Sequence, residues 1–116
     1  MSLCSGGALD VLVTHDAPGE LDLSEGAVDG DDLNGGAQVR SLVDMAVARC
    51  RPTVAVHGHW HLAHDSVLGS GVRCVGLGDD RGTVADQVAV LDTARAWVTG
   101  TAARRLGTRG PLWTAR

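Results

Sequence analysis

The chain has 116 residues, of which 44% are apolar and 21% are charged, and its net charge is −4. This length suits one domain, and the composition is typical of a globular rather than a disordered protein. The acidic balance argues against a dedicated nucleic-acid-binding protein. The apolar runs are too short for a membrane-spanning helix, and the N-terminus lacks the features of a signal peptide, so we expect no membrane association and a cytoplasmic location.

The chain contains three cysteines, Cys4, Cys50 and Cys74, none of which lies in a Cys-x-x-Cys pair. An odd number without that spacing indicates reduced thiols rather than a disulfide framework or a cysteine-type zinc site. This prediction agrees with the expected cytoplasmic location.

The chain begins with a predicted strand and a long loop. Residues 10–14 form a β-branched run, and Pro18 and Gly19 follow it closely, which predicts a strand and then a turn. Residues 19–37 are rich in Gly and Asp and predict a long, acidic surface loop.

A helix is predicted after this loop, because apolar residues recur at helical spacing and the Arg51-Pro52 pair ends the pattern. Two charged residues, Arg40 and Asp44, fall outside the apolar face. That face consists of Val39, Leu42, Val43, Ala46, Val47 and Cys50.

Further strands follow the helix. Residues 53–56 predict a strand that is buried on both faces of a sheet. Residues 66–68 and 72–75, joined by a glycine-containing turn, predict a β-hairpin, and residues 88–92 predict one more strand. The order of these elements indicates an α/β fold with a mixed β-sheet and a flanking helix.

The chain divides into two predicted parts. Residues 1–93 form the α/β domain. Residues 94–116 contain the rest of a short helix predicted over residues 93–103, followed by an arginine-bearing tail.

Four of the five histidines lie within residues 57–64. Neutral imidazole is the commonest protein ligand for divalent transition metals, so this density indicates a metal site. The competing interpretation is a solvated histidine cluster, and His57 and His64 are interpreted as ordinary histidines. His59 and His61 remain as the candidate ligands from this segment.

His15 is the third candidate ligand, because it follows the first predicted strand as His59 and His61 follow the second. Sites in open α/β sheets form beyond the carboxyl ends of the strands. Two adjacent parallel strands linked by one helix would bring the three imidazoles together. The pattern therefore predicts a shared metal site.

These segments resemble the calcineurin-like metallophosphoesterase family. The similarity rests on the strand that ends in His15-Asp16, the amphipathic helix, and the Gly58-His59-Trp60-His61 loop, and it covers residues 9–92. It implies an αββα sandwich, of which this chain corresponds to the C-terminal half.

The resemblance also implies metal-dependent phosphoester hydrolysis at two divalent ions, with Mn, Zn or Fe as the candidates. In that family, residues at the positions of His15 and His59 bind one ion, and the residue at His61 binds the other. Asp16, Gly58 and His57 would contact the substrate or support the ligands.

The family's early motifs, which supply the bridging carboxylate, are absent from this sequence. Three histidines without that carboxylate are expected to hold a single zinc-like ion, because carboxylates offset metal charge. We therefore expect negligible activity from the chain alone, a small phosphoester as substrate if it is active, and association through an exposed sheet edge.

Two other functions remain open. His57, His59 and His61 have the His-x-His-x-His spacing of histidine-triad nucleotide hydrolases, in which the middle histidine is the nucleophile. A non-catalytic metal-binding or interaction module is the third interpretation. Substitution of His15 separates these possibilities, because only the phosphoesterase-like site uses it.

Overall fold

The computed structural model describes residues 8–23, 35–78, 83–99 and 104–108. Within these ranges the chain forms two helices and six short strands. In chain order they are β1 (Val11–Val13), α1 (Gly35–Cys50), β2 (Val54–His57), β3 (His64–Val67), β4 (Arg73–Gly76), α2 (Val84–Gln87), β5 (Val90–Asp92) and β6 (Trp97–Thr99).

Four strands form a mixed sheet in the order β1-β2-β4-β3. β1 pairs parallel with β2, and β2 pairs parallel with β4, whereas β3 and β4 are antiparallel. The predicted α/β class and mixed sheet are confirmed. The first strand, the strand after the helix and the hairpin all lie within two residues of their predicted positions.

The sheet separates two hydrophobic clusters. On one face, Ala55 and Cys74 belong to the same buried cluster as Val43 and Val47 of α1 and the ring of Trp60. The other cluster joins Val54 and Val75 to Val98 of β6. Because neighbouring residues of a strand point to opposite faces, β2 and β4 contribute to both clusters, as predicted for a strand buried on both faces.

The buried face of α1 differs from the predicted one. Val43 and Val47 are buried as expected, but Leu42 is 61% exposed, whereas Arg40 and Asp44 are only 4% and 5% exposed. The Arg40 Nη2 group donates to the carbonyl oxygens of Pro18 and Leu21 at 3.0 and 2.7 Å, and Asp44 accepts from the Glu20 N–H at 3.2 Å. The helix therefore turns a different face to the core than its apolar pattern predicts, because its charged residues form hydrogen bonds with buried backbone groups of residues 18–21.

The predicted surface loop is wrong at its start. Residues 17–21 are buried beneath α1, and the Glu20 carboxylate accepts a hydrogen bond from the Gly69 N–H at 3.2 Å. Residues 24–34 lie outside the described residues. The acidic composition did not indicate burial because the partners of Glu20 are distant in sequence.

The helix predicted over residues 93–103 is also wrong within the described part of the chain. Residues 93–96 form a turn, and β6 pairs antiparallel with β5, with Asp92 opposite Trp97. The Trp97-Val98-Thr99 run has strand propensity, and Val98 is buried against the sheet. This burial favours the strand. An isolated antiparallel β-bridge between Thr108 and Leu21 places part of the predicted tail on the fold.

The two described cysteines differ in oxidation state. Cys50 is disulfide-bonded, so the prediction of reduced thiols is wrong for this residue, whereas Cys74 is a free, buried thiol. Spacing rules exclude local cysteine pairs but not bonds between distant segments. Among the described residues, no helix is both long and apolar enough to cross a bilayer.

Candidate functional site

The carboxyl ends of β1, β2 and β4 meet at one edge of the sheet, because these three strands are parallel. Hydrogen bonds continue past the strand ends: Thr14 N–H donates to Val56 O at 2.9 Å, and Gly58 N–H donates to His15 O at 3.1 Å. Leu77 N–H similarly donates to His57 O at 3.0 Å. This edge therefore holds the segments that carry the candidate ligands in a defined register.

His15 and His59 are in contact at this edge. The His15 Nε2 atom lies 3.1 Å from the His59 Nδ1 atom, and the ring centroids are 4.7 Å apart. His15 is exposed and His59 is half-buried, so the pair lies at the surface of the fold. The structure thus brings together two of the three predicted ligands, from segments 44 residues apart.

His61 lies in the same turn as His59, and its side chain is exposed. The structure records no third His, Cys, Asp or Glu grouped with His15 and His59 among the described residues. His57, His59 and His61 occupy three different environments, which are buried, half-buried and exposed respectively. They do not form one row on a single strand, because β2 ends at His57.

The unusual backbone of this turn falls on the histidines rather than on Gly58. His59 and His61 have φ values of 71° and 56°, in the left-handed region that non-glycine residues seldom adopt. Gly58 does not have a positive φ, and a Cβ atom there would meet nothing within 4 Å. Gly58 instead supports the turn through its backbone, whose carbonyl accepts from the Trp60 N–H at 2.8 Å.

Asp16 connects the loop of His15 to the turn of His59. Its Oδ1 atom accepts hydrogen bonds from the Ala17 N–H and from the Trp60 Nε1–H, each at 2.7 Å. The guanidinium group of Arg40 also contacts the face of the Trp60 ring, with its central carbon 4.9 Å from a ring centroid. Asp16 is buried and therefore positions the two histidine-bearing segments relative to each other.

The Asp16→Ala substitution is expected to lower the free energy of unfolding by about 2 kcal/mol, because two buried N–H groups lose their acceptor. Asp16→Asn is the matched control, since its amide oxygen can still accept both bonds, and it should cost less than half as much. Urea denaturation of the three proteins measures both values. Equal stability of Asp16→Ala and the wild type would show that Asp16 does not anchor this loop.

A second group of reactive side chains lies on the buried face of the sheet. His57 of β2, His64 of β3 and Cys74 of β4 are at most 2% exposed, and their ligand atoms all lie within 4.8 Å of one another. The strand register places Gly76 between His57 and His64. This group could hold a metal ion.

Hydrogen bonds connect these imidazoles in a chain. The His57 and His64 Nε2 atoms are 2.7 Å apart, His57 Nδ1 lies 2.8 Å from Gly58 O, and His64 Nδ1 lies 2.8 Å from Ser66 Oγ. Since a carbonyl only accepts, His57 Nδ1 carries the hydrogen. The His64 Nε2–H then donates to His57, and the Ser66 hydroxyl donates to His64 Nδ1 while accepting from Leu106 N–H at 2.9 Å.

Burial keeps all three groups neutral, because a low-dielectric environment disfavours the charged form. Desolvation lowers the pKa of His57, and desolvation together with the neighbouring His57 lowers the pKa of His64 to about 3. Desolvation raises the pKa of the Cys74 thiol, and the nearby carboxylates of Glu20 and Asp65 raise it further. The resting group is therefore two neutral imidazoles and a thiol.

The sequence pattern alone does not indicate this group, because it favours ordinary histidines at His57 and His64 and places Cys74 in no motif. The sequence does contain a weak signal. His64 and Ser66 are two residues apart on one strand, and Cys74 and Gly76 are two residues apart on the next, so each pair shares a face. Alternation places each pair on one face but does not show which strands are neighbours or in what register.

Comparison of the chain with protein-family models, curated proteins and solved structures finds no match. Function is therefore inferred from the residues and their geometry.

Proposed function

We propose that this chain provides the histidine ligands of a divalent-metal site in a phosphoester hydrolase of the calcineurin-like kind, with Zn²⁺, Mn²⁺ or Fe²⁺ as the candidate ions. The observation that carries the proposal is the 3.1 Å separation of His15 Nε2 and His59 Nδ1 across 44 residues of sequence. Two nitrogens that bind one ion lie about 3 to 3.4 Å apart, so these two imidazoles suit a shared ion.

The surroundings of the pair also support this function. The site is open to solvent at the carboxyl edge of the parallel strands, where substrates reach α/β sheets. His15 and His59 would hold one ion, and the exposed His61 is the third candidate ligand. When bound, such ions activate water and neutralise charge on the phosphoryl oxygens. Asp16 and Trp60 keep the two loops together through their hydrogen bond.

The residues of this chain are better suited to binding a metal ion than to hydrolysing a phosphoester. Among the described residues, no carboxylate joins His15 and His59 as a third ligand. Asp16 is the nearest in sequence, and its Oδ1 already accepts two hydrogen bonds. We therefore propose that the chain binds metal but hydrolyses phosphoesters negligibly without additional carboxylate ligands.

The test is isothermal titration of Zn²⁺ and Mn²⁺ into the wild-type chain and into the His15→Ala and His59→Ala variants. Each substitution should weaken binding at this site at least tenfold, and by similar factors, because each removes one of two adjacent ligands. His61→Ala should have a smaller effect on the same site. An unchanged affinity in His15→Ala would contradict the shared site and favour a site confined to residues 57–64.

Activity is measured separately with p-nitrophenyl phosphodiesters and added Mn²⁺ or Zn²⁺. The isolated chain should show no turnover above that of the free metal. Vigorous hydrolysis that is lost in His59→Ala would overturn the expectation of an incomplete active site. Hydrolysis that requires neither His15 nor added metal but requires His59 would instead favour the histidine-triad interpretation.

A further inference from the structure

The buried His57, His64 and Cys74 side chains differ from the proposed hydrolase site in position and in chemistry. They lie within the sheet face covered by α1, whereas His15 and His59 are accessible at the strand ends. They include sulfur, which the His15–His59 pair lacks. They are also the one group of three or more potential metal ligands that the described part of the chain assembles.

We propose that His57, His64 and Cys74 form a second, buried metal site that binds a thiolate-preferring ion such as Zn²⁺ or Co²⁺. Two imidazoles and one thiolate are typical ligands for zinc, and thiolate disfavours Mn²⁺ and Mg²⁺. The role of the site is structural, since it would join the adjacent strands β2, β4 and β3. It would bind metal even in a chain whose His15–His59 site is removed.

Gly76 lets both ligand atoms reach the centre of the group. A Cβ atom on Gly76 would lie 2.5 Å from His64 Nε2 and 2.9 Å from His57 Nε2, so the two imidazoles occupy the space that a side chain would otherwise fill. Two zinc-bound nitrogens in a tetrahedral site are about 3.4 Å apart. The two Nε2 atoms, now 2.7 Å apart, need to separate by only a fraction of an ångström to admit the ion.

The hydrogen-bond partners already orient the imidazoles as metal ligands. His57 Nδ1–H donates to the Gly58 carbonyl, which leaves the Nε2 lone pair directed at the group. His64 Nδ1 faces the Ser66 hydroxyl, which can either donate or accept. His64 can therefore move its hydrogen from Nε2 to Nδ1 when metal binds, while Ser66 changes from donor to acceptor. Such outer partners are typical of histidine ligands in metal sites.

The proton balance of binding is defined. The change of tautomer at His64 moves a hydrogen within one imidazole and releases none. Cys74 forms an S–metal bond as its S–H bond breaks, and that proton passes to solvent. One proton is thus released for each divalent ion, and the site changes from neutral to a charge of +1.

Charged groups around the site partly offset that positive charge. The carboxylates of Glu20 and Asp65 act electrostatically on Cys74, and Asp65 also acts on His64. His57 is influenced by Asp16 in the favourable direction and by Arg40 and His59 in the opposite one. Arg73 is paired with Asp65 through two hydrogen bonds and offsets that carboxylate, which leaves the carboxylates of Glu20 and Asp16 against the guanidinium of Arg40.

The experiment is titration of Co²⁺ into the chelator-treated, full-length chain under anaerobic conditions without added thiol. Binding at this site should produce a near-ultraviolet sulfur-to-cobalt charge-transfer band and release about one proton per ion into a weakly buffered solution. The Cys74→Ser variant should lose the band. His15→Ala and His59→Ala should retain it, which separates this site from the proposed hydrolase site.

A wild-type titration without the sulfur-to-cobalt band would overturn the proposal and needs no variant to be folded. A band that persists in Cys74→Ser would also overturn it, because another cysteine would then be the ligand. Ser66→Ala provides an independent check, since loss of the outer partner of His64 should weaken cobalt binding by about 10- to 100-fold. Unchanged affinity in Ser66→Ala would contradict the orientation assigned to His64.

Discussion

Replacement of Gly76 by alanine is expected to lower the free energy of unfolding by about 1 to 3 kcal/mol, the usual cost of adding a methyl group to a filled core. The new Cβ would lie less than 3.0 Å from atoms of both His57 and His64. Neither ring can move freely, because each is buried and the two are hydrogen-bonded to each other. Chemical denaturation of the metal-free protein measures the loss.

Gly58→Ala is the matched control for Gly76→Ala. It adds the same methyl group one residue beyond the neighbouring strand, where nothing lies within 4 Å and φ is not positive. Its effect should stay within about 0.5 kcal/mol, as for most surface substitutions. If the two variants were equally stable, the two imidazoles would not be packed against Gly76 as the structure has them.

Metal-free protein is expected to lose stability as the pH falls from 6.5 to 5, because His57 and His64 are buried in neutral form. Both pKa values are lower in the folded than in the unfolded chain, so below pH 6.5 the unfolded chain binds more protons. One such histidine costs about 1.4 kcal/mol per pH unit. His64, with its pKa of about 3, therefore accounts for a loss of about 2 kcal/mol, and His57 adds to it.

Glu20 acts in the opposite direction. Burial raises its pKa, so the folded chain binds this proton more tightly than the unfolded chain, and protonation of Glu20 raises the free energy of unfolding as the pH falls. The histidine effect is isolated by comparing urea denaturation of the wild type and His64→Asn between pH 7.5 and 5. The free energy of unfolding of the variant should fall less steeply with pH than that of the wild type. The difference in slope is up to about 1.4 kcal/mol per pH unit, the effect of one bound proton. Imidazole NMR signals provide a test on the wild type alone: titration of His64 between pH 7 and 5 in the folded protein would contradict its buried neutral state.

The sequence predicted the sheet more accurately than the surfaces of its helix and loops. The strands β1 to β4 were recognised because short β-branched runs between turn residues suit buried strands. The orientation of α1 was not, because Arg40 and Asp44 are charged and the pattern assigned them to the solvent side. Their burial depends on carbonyl and N–H groups of residues 18–21, which helical periodicity does not include.

The contact between two candidate ligands agrees with the sequence pattern, whereas their binding of a metal stays a prediction. His15 and His59 come together as expected, because two parallel neighbouring strands place their carboxyl ends at one edge. The buried group could not be predicted, because it needs the order of β2, β4 and β3 and their register. A shift of one residue in either register would turn His57 or His64 to the other face of the sheet.

The sequence by itself determined the α/β class, the positions of the main strands and the density of imidazoles near the strand ends. These features depend on local propensity, on periodicity and on the connection of β1 to β2 through one helix. Only the tertiary structure decided which histidines share an environment. The contacts of His15 with His59 and of His57 with His64 depend on the packing of segments that are separated along the chain. A turn with positive φ at His59 and His61 then directs neighbouring histidines into different environments.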